Sequence, residues 1–247
     1  MFELTADEER DFYHRGFFIR TDVFNQSEIT EISSALDVLY ALSRLLEQTT
    51  VLNGTQFVLE KGVLRRAVWC GAAQPVLLNY SQDRRITVAV SALLRSREAQ
   101  HLICQAHFKM PGDGVGFRWH QDSENRGYGT SDWTDVNGTG SYVQTLIAVD
   151  PMTNENGPIL FAPGSCKRGH LGLNQMEDPS LAFDSKTLIS LLVSPGAVAF
   201  VGPYTIHGSL PNSSSAPRRI FINGYACPNA NKRKYPGVGS GRMLELR

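Results

Sequence analysis

The sequence has no pair of cysteines spaced to share a metal. Its four, Cys70, Cys104, Cys166 and Cys227, form no Cys-x-x-Cys unit, which argues against a structural zinc site and against a disulfide framework. It has no net charge either, since 24 Lys and Arg balance 24 Asp and Glu. With no overall field there is nothing to draw the chain to nucleic acid or an anionic membrane, and the short run Lys232-Arg233-Lys234 reads as a solvated segment. No apolar run reaches the roughly 18 residues that a bilayer span needs. The start Met1-Phe2-Glu3-Leu4-Thr5 is unlike a secretory leader, and Glu245-Leu246-Arg247 is no peroxisomal address. The expectation is a protein of a reducing, cytoplasmic compartment whose partners are neither nucleic acid nor membrane.

What is present is enough apolar material for one substantial core: 42% hydrophobic residues over 247 positions, read as a single domain spanning 1–247. The first hundred residues read as helix-rich. Thr5 with Glu8, and Asn25 with Glu28, are capping boxes that open a helix to about His14 and a longer one. On the longer helix Ile29, Ile32, Leu36, Leu39, Leu42 and Leu46 make one apolar stripe. Gly16 separates the first helix from a strand, Phe17–Arg20, and Asp83 caps a third helix bearing Ile86, Ala89, Val90, Leu93 and Leu94. Between them, 49–74 is mixed, with a strand or loop around Phe57-Val58-Leu59. From Leu102 the period changes to two, placing Ile103, Gln105, His107 and Lys109 on one side of a strand. Polar residues on an inward face imply a wet cavity. Further short strands, 142–149, 159–161, 188–193, 197–201 and 218–225, are separated by Pro and Gly punctuation rather than helices. The fold class expected is mainly β with flanking helices, a jelly roll with its core at about 101–227. The polar stretch 123–140, which holds Trp133, reads as a loop of the kind that forms lids.

Within this frame, His120-Gln121-Asp122 places an imidazole and a carboxylate two residues apart, and i and i+2 of a strand share a face. The triplet is common enough by chance to carry little alone, and it also fits a hydrogen-bonded pair at a strand end. His207 supplies a candidate third ligand. Two imidazoles and a carboxylate on one face of a metal leave open positions, the donor set of non-haem Fe(II) oxygenases. An oxoacid bound there needs a cation for its far carboxylate. Arg218 is the candidate, because a guanidinium gives two parallel charge-assisted bonds and its alternate neighbours Ile220 and Ile222 are apolar, which turns it inward. Arg219 then faces outward.

At these residues the chain resembles the phytanoyl-CoA dioxygenase family of Fe(II)- and 2-oxoglutarate-dependent oxygenases. The resemblance runs through the opening helix and Gly-Phe strand, Lys109-Met110-Pro111-Gly112, Trp119-His120-Gln121-Asp122, Asn156-Gly157-Pro158, Pro163-Gly164-Ser165 and His207-Gly208-Ser209, with Arg218 at the family's spacing. It implies a double-stranded β-helix, a cupin-like jelly roll. It implies that His120, Asp122 and His207 hold Fe(II) and act in catalysis, and that Arg218, assisted by Ser209, binds 2-oxoglutarate. It also implies further co-substrate contacts from Gln105 and from the strand carrying Gln144 and Thr145, and a basic residue upstream, Arg65 or Arg66. Where relatives often read Pro-Gly-Ser-His, this chain has Cys166. The halogenases related to the family replace the acidic ligand with a small residue, so Asp122 favours hydroxylation or desaturation of an unactivated C–H by O2, with release of succinate and CO2.

The expected partner is a small molecule of secondary metabolism; monomer and homodimer are both open. His107 reads either as a hydrogen-bonded core histidine or as a pocket residue. Trp133 reads as loop packing or a substrate wall, Arg65 is a candidate substrate contact, and His14 and His101 are taken as surface residues. Two other functions fit the fold: a non-catalytic metal- or ligand-binding jelly-roll module, and a cupin-like metalloenzyme that uses no 2-oxoglutarate.

Overall fold

The computed structural model describes residues 2–246. Met1 and Arg247, which belong to the two terminal signals, lie outside them. Both capping boxes form. Thr5 and Glu8 exchange bonds of 3.2 and 2.9 Å at the start of α1 (Ala6–His14), and Asn25 and Glu28 do the same for α2 (Gln26–Ser43). After α3 (Val76–Ser81), Asp83 caps α4 (Arg84–Leu94) through Arg85 N at 2.9 Å. The stripe of α2 is buried at Ile29, Ile32, Leu36 and Leu39, each contributing ~1.5–3 kcal/mol relative to exposure. Leu42 and Leu46 pack at its margin.

Among the described residues thirteen strands follow as β1 (Phe17–Arg20), β2 (Thr50–Leu52), β3 (Thr55–Glu60), β4 (Val63–Val68), β5 (Glu98–Lys109), β6 (Phe117–His120), β7 (Tyr142–Ala148), β8 (Leu160–Phe161), β9 (Ile189–Ser190), β10 (Val198–Val201), β11 (His207–Ser209), β12 (Arg218–Ala226) and β13 (Arg242–Glu245). A short helix, α5 (Asp122–Arg126), follows β6. The larger sheet runs β1-β10-β7-β12-β5-β4-β3-β2, with β13 also on β5, and the smaller runs β6-β11-β8-β9. This is the double-sheet jelly roll expected. Phe17 of the larger sheet stacks on Phe161 of the smaller at 4.2 Å. On the outer face of the larger sheet Tyr40 of α2 stacks on Phe108 of β5 at 5.9 Å.

Three details depart from the sequence reading. The mixed stretch 49–74 is two hairpins, turning at Asn53-Gly54 and Lys61-Gly62 with φ of 50°, 75°, 52° and 77°. Paired left-handed residues give the twist a two-residue hairpin needs, and Asn-Gly is its strongest signal. The flanking strands are only partly buried and so lack a clean apolar alternation. These strands extend the larger sheet, so the helix-rich part also builds the wall of the barrel. Arg219 does point away from the interior, yet it meets α2 rather than water: it is 8% exposed, bound to Asp150 at 2.7 and 2.8 Å, Asp37 at 2.6 Å and Ser33 at 2.9 Å. His101 is fully buried between Trp69 and Tyr225, with Nε2 at 3.2 Å from Asn223 Oδ1; neutral imidazole packs as an aromatic. His14 is exposed. No described helix is long and apolar enough to cross a membrane.

Candidate metal and co-substrate site

Sheet pairing brings the two histidines together. In the smaller sheet His120 of β6 lies directly opposite His207 of β11, and their ring centroids are 4.2 Å apart. The strand ends at His120, and Asp122 is the first residue of α5 rather than the next strand position. It still faces His120, because Gln121 between them is extended and turns into the protein. Gln121 Nε2 donates to Gly169 O at 2.8 Å and Tyr204 O at 2.6 Å, and its Oε1 accepts from Leu171 N at 2.8 Å. The anchored middle residue fixes the directions of its two neighbours. One donor atom from each of His120, Asp122 and His207 then lies within 4.8 Å of the others.

The chemistry of this donor set fits a divalent metal such as Fe(II). His120 Nδ1 is 2.8 Å from Arg118 O and His207 Nδ1 is 3.0 Å from Thr205 O, each a carbonyl two residues back. A ring that donates from Nδ1 keeps its lone pair on Nε2, the arrangement in which outer carbonyls orient metal-binding imidazoles. Burial, then the neighbouring His207, pushes the His120 pKa down to about 4, so this ring is neutral at physiological pH. Asp122 Oδ2 is buried without a hydrogen-bond partner, a cost that a bound cation removes.

Opposite the triad stands Arg218. In the larger sheet it pairs with Lys109, and Ile222 pairs with Gln105, so β5 and β12 turn one polar face inward. Arg218 is 1% exposed; Nη2 donates to Gly157 O at 2.9 Å and Nε has no acceptor. Burial lowers its pKa to about 10, which leaves it charged. Lys109, also buried, donates to the same Gly157 carbonyl at 3.0 Å, to Ser209 Oγ at 2.7 Å and to Leu210 O. Gly157 has φ +69°, and a Cβ there would stand 2.3 Å from Leu210 O and 3.0 Å from Lys109 Nζ. Only glycine lets this carbonyl approach both side chains; burial, then the charge of Arg218, lowers the Lys109 pKa to about 6, so it can serve as a neutral donor beside the guanidinium.

Triad and arginine open into one cavity of about 270 Å³, a size suited to small molecules. Of the other residues singled out in the sequence, Gln105, His107, Gln144 and Ser209 line it. His107 stacks on Phe117 at 4.5 Å, and burial followed by Arg66 and Arg218 keeps its pKa well below the usual value. Three others are not brought there. Thr145 is fully buried off the lining, because it alternates with Gln144 along β7. Trp133 stacks on Tyr128 at 4.6 Å and donates to Gly140 O at 3.2 Å, so it packs the loop. Arg65 forms an ion pair with Glu60, donates to Gly116 O at 2.6 Å and covers Phe117 from outside; its neighbour Arg66 lines the cavity instead. Sequence reasoning missed Arg126, because 123–140 read as a loop. Gly127, left-handed at φ 79°, is the helix stop that signals α5.

A family profile described as "Phytanoyl-CoA dioxygenase (PhyH)" matches residues 12–220. A methylphosphonate hydroxylase of Gimesia maris is 32% identical over 121 residues, a match that takes in 48% of this chain and 42% of the relative's length. Among solved structures, EctD from S. alaskensis with 2-oxoglutarate and 5-hydroxyectoine superposes with a TM-score of 0.73 at 22% identity, covering 98% of this chain and 83% of EctD. EvdO2 from Micromonospora carbonacea var. aurantiaca, complexed with 2-oxoglutarate, gives a TM-score of 0.68 at 20% identity, covering 94% and 95% of the two chains.

Proposed function

The chain belongs to the phytanoyl-CoA dioxygenase family of non-haem iron, 2-oxoglutarate-dependent oxygenases, and from that premise we propose that it hydroxylates or desaturates an unactivated C–H of a small-molecule metabolite. The observation that carries this reading is Arg218, a fully buried guanidinium whose Nε has no acceptor and which lines the cavity shared by His120, Asp122 and His207. A buried cation with one carbonyl acceptor is unsatisfied without an anion, and a dianionic oxoacid spanning the cavity meets that need.

His120, Asp122 and His207 would hold Fe(II), which when bound supplies the redox chemistry that couples decarboxylation of 2-oxoglutarate by O2 to oxidation of the substrate C–H. The protein binds and orients around it. Arg218 takes the distal carboxylate of 2-oxoglutarate, and Ser209, held by Lys109, adds a hydroxyl beside it. Gln105 and Gln144 offer neutral donors along the cavity wall, and His107, kept neutral, adds no charge that would compete with Arg218. Ile220, Ile222 and Leu146 add apolar surface to the same wall. The same reading takes 1–247 as one functional unit. Methylphosphonate, named in the curated relative, is the first substrate to try.

The test is succinate release from 2-oxoglutarate by the Fe(II)-loaded protein, followed by mass spectrometry with candidate substrates. O2-dependent succinate that vanishes in Asp122→Ala supports the reading. Substrate turnover that proceeds without 2-oxoglutarate would favour the cupin-like metalloenzyme, and no turnover beside tight ligand binding would favour the non-catalytic module.

A further inference from the structure

The cavity carries more positive charge than iron and 2-oxoglutarate account for. Arg66 on β4, Arg126 at the end of α5 and Arg233 between β12 and β13 all line it in addition to Arg218. Local structure delivers them there. Asp122 and Arg126 stand four apart on one helix, and such residues share a face with Cβ atoms about 6 Å apart. Arg126 is 5% exposed; Nη1 donates to Asn125 O at 3.2 Å, while Nε has no acceptor. The rings of Tyr142 and Tyr235 each lie 5.2 Å from its Cζ. Such rings stabilise a cation but do not satisfy a guanidinium's five donors. Arg233 Nη1 turns to the same Asn125 carbonyl at 3.4 Å, and its nearest carboxylate, Asp132, is 3.9 Å away. The Arg66 side chain has no hydrogen bond or ion pair among the described residues and feels the repulsion of Arg65 and Arg126. Arg66 is exposed, and its side chain lines the cavity from the rim. The carboxylate whose charge acts on Arg126, Asp122, belongs to the metal triad.

We propose that Arg66, Arg126 and Arg233 form an oxyanion subsite, and that the substrate carries a terminal phosphorus oxyanion, as a phosphonate or a phosphate monoester does. Like charges gathered from separate elements repel unless an anion joins them. A carboxylate, with two coplanar oxygens, is matched by one guanidinium, the task of Arg218. Three guanidiniums from three elements match the three oxygens and double charge of a tetrahedral phosphorus group. On one further point the inference rests on the oxygenase reading: because Arg126 shares a helix face with Asp122, the carbon that reacts is bonded to the phosphorus group or adjacent to it.

The test is calorimetric titration of the anaerobic protein, saturated with Fe(II) and 2-oxoglutarate so that Arg218 is occupied, with methylphosphonate, methyl phosphate and acetate in turn. The two phosphorus compounds should bind at least tenfold tighter than acetate, and the tighter of the two identifies the source of the group. Arg126→Gln and Arg66→Gln should each weaken that binding about tenfold or more, with the visible 2-oxoglutarate band retained. Arg66, at the cavity mouth, serves if Arg126→Gln does not fold. Acetate binding as tightly as methylphosphonate, or wild-type phosphonate affinity in the variants, would overturn the proposal. Failure of the oxygenase reading is distinguishable: the wild type would lack the band, and the same titrations on metal-free protein would still report the subsite.

Discussion

Replacing Arg218 with Gln should make the ligand-free protein more stable while removing its affinity for 2-oxoglutarate. Burial lowers the Arg218 pKa to about 10, and a shift of that size corresponds to destabilisation of the charged form on the order of 3 kcal/mol. The substitution removes that cost. It forfeits the bond to Gly157 O, worth ~1.5–3 kcal/mol from a charged donor, of which a neutral Gln amide can restore ~1 kcal/mol. A net gain of about 2 kcal/mol in a chain of this length raises Tm by ~5 °C. The co-substrate loses two charge-assisted bonds of ~1.5–3 kcal/mol each, so its affinity should fall by roughly two to four orders of magnitude. Scanning calorimetry without ligands and the 2-oxoglutarate dependence of succinate release read the two effects separately. A lowered Tm together with an unchanged 2-oxoglutarate requirement would show that Arg218 is structural and refute the reasoning.

Three other changes test other parts of the site and fold. Asp122→Ala should lose iron as well as activity; stoichiometric Fe(II) by elemental analysis after anaerobic desalting would contradict its role as a ligand. Gly157→Ala, which drives a Cβ to 2.3 Å from Leu210 O, should cost ~2 kcal/mol or more and weaken 2-oxoglutarate binding by displacing the carbonyl that Arg218 and Lys109 share; a wild-type Tm would show that the loop yields freely. His101 gives a pH dependence: its folded pKa is depressed to about 3, chiefly by burial, with the charge of Arg242 adding. The unfolded chain therefore binds more protons below about pH 6.5, and this stabilising contribution falls by ~1.4 kcal/mol per unit as pH drops toward 3. His101→Phe should unfold with a shallower pH slope between 6 and 5, and identical slopes would contradict the assignment.

Much of the fold was legible because its local signals agree with its tertiary structure. The Thr5/Glu8 and Asn25/Glu28 boxes start helices where they are read, and the change of period at Leu102 marks the strand whose Gln105 and His107 line the cavity. The triad could be named from its residue types, yet the reason it assembles could not. The pairing of His120 with His207 is a non-local register, and the direction of Asp122 depends on the contacts of buried Gln121. Alternation alone could not separate Gln144 from Thr145, nor Arg66 from Arg65, since each pair differs only in which face of a strand points inward. Arg126 was hidden by the polar composition around a five-residue helix, although Gly127 marks its end. His101 shows that a histidine with a single polar partner can sit in an aromatic core.

The central claim is that His120, Asp122, His207 and Arg218 form one site for Fe(II) and 2-oxoglutarate together. It is tested most directly by anaerobic titration of the wild type with both ligands, followed by visible absorption. A weak charge-transfer band should saturate at one equivalent of iron, require 2-oxoglutarate, and be lost in Asp122→Ala. No band in the folded wild type, or the same band in Asp122→Ala, would contradict it.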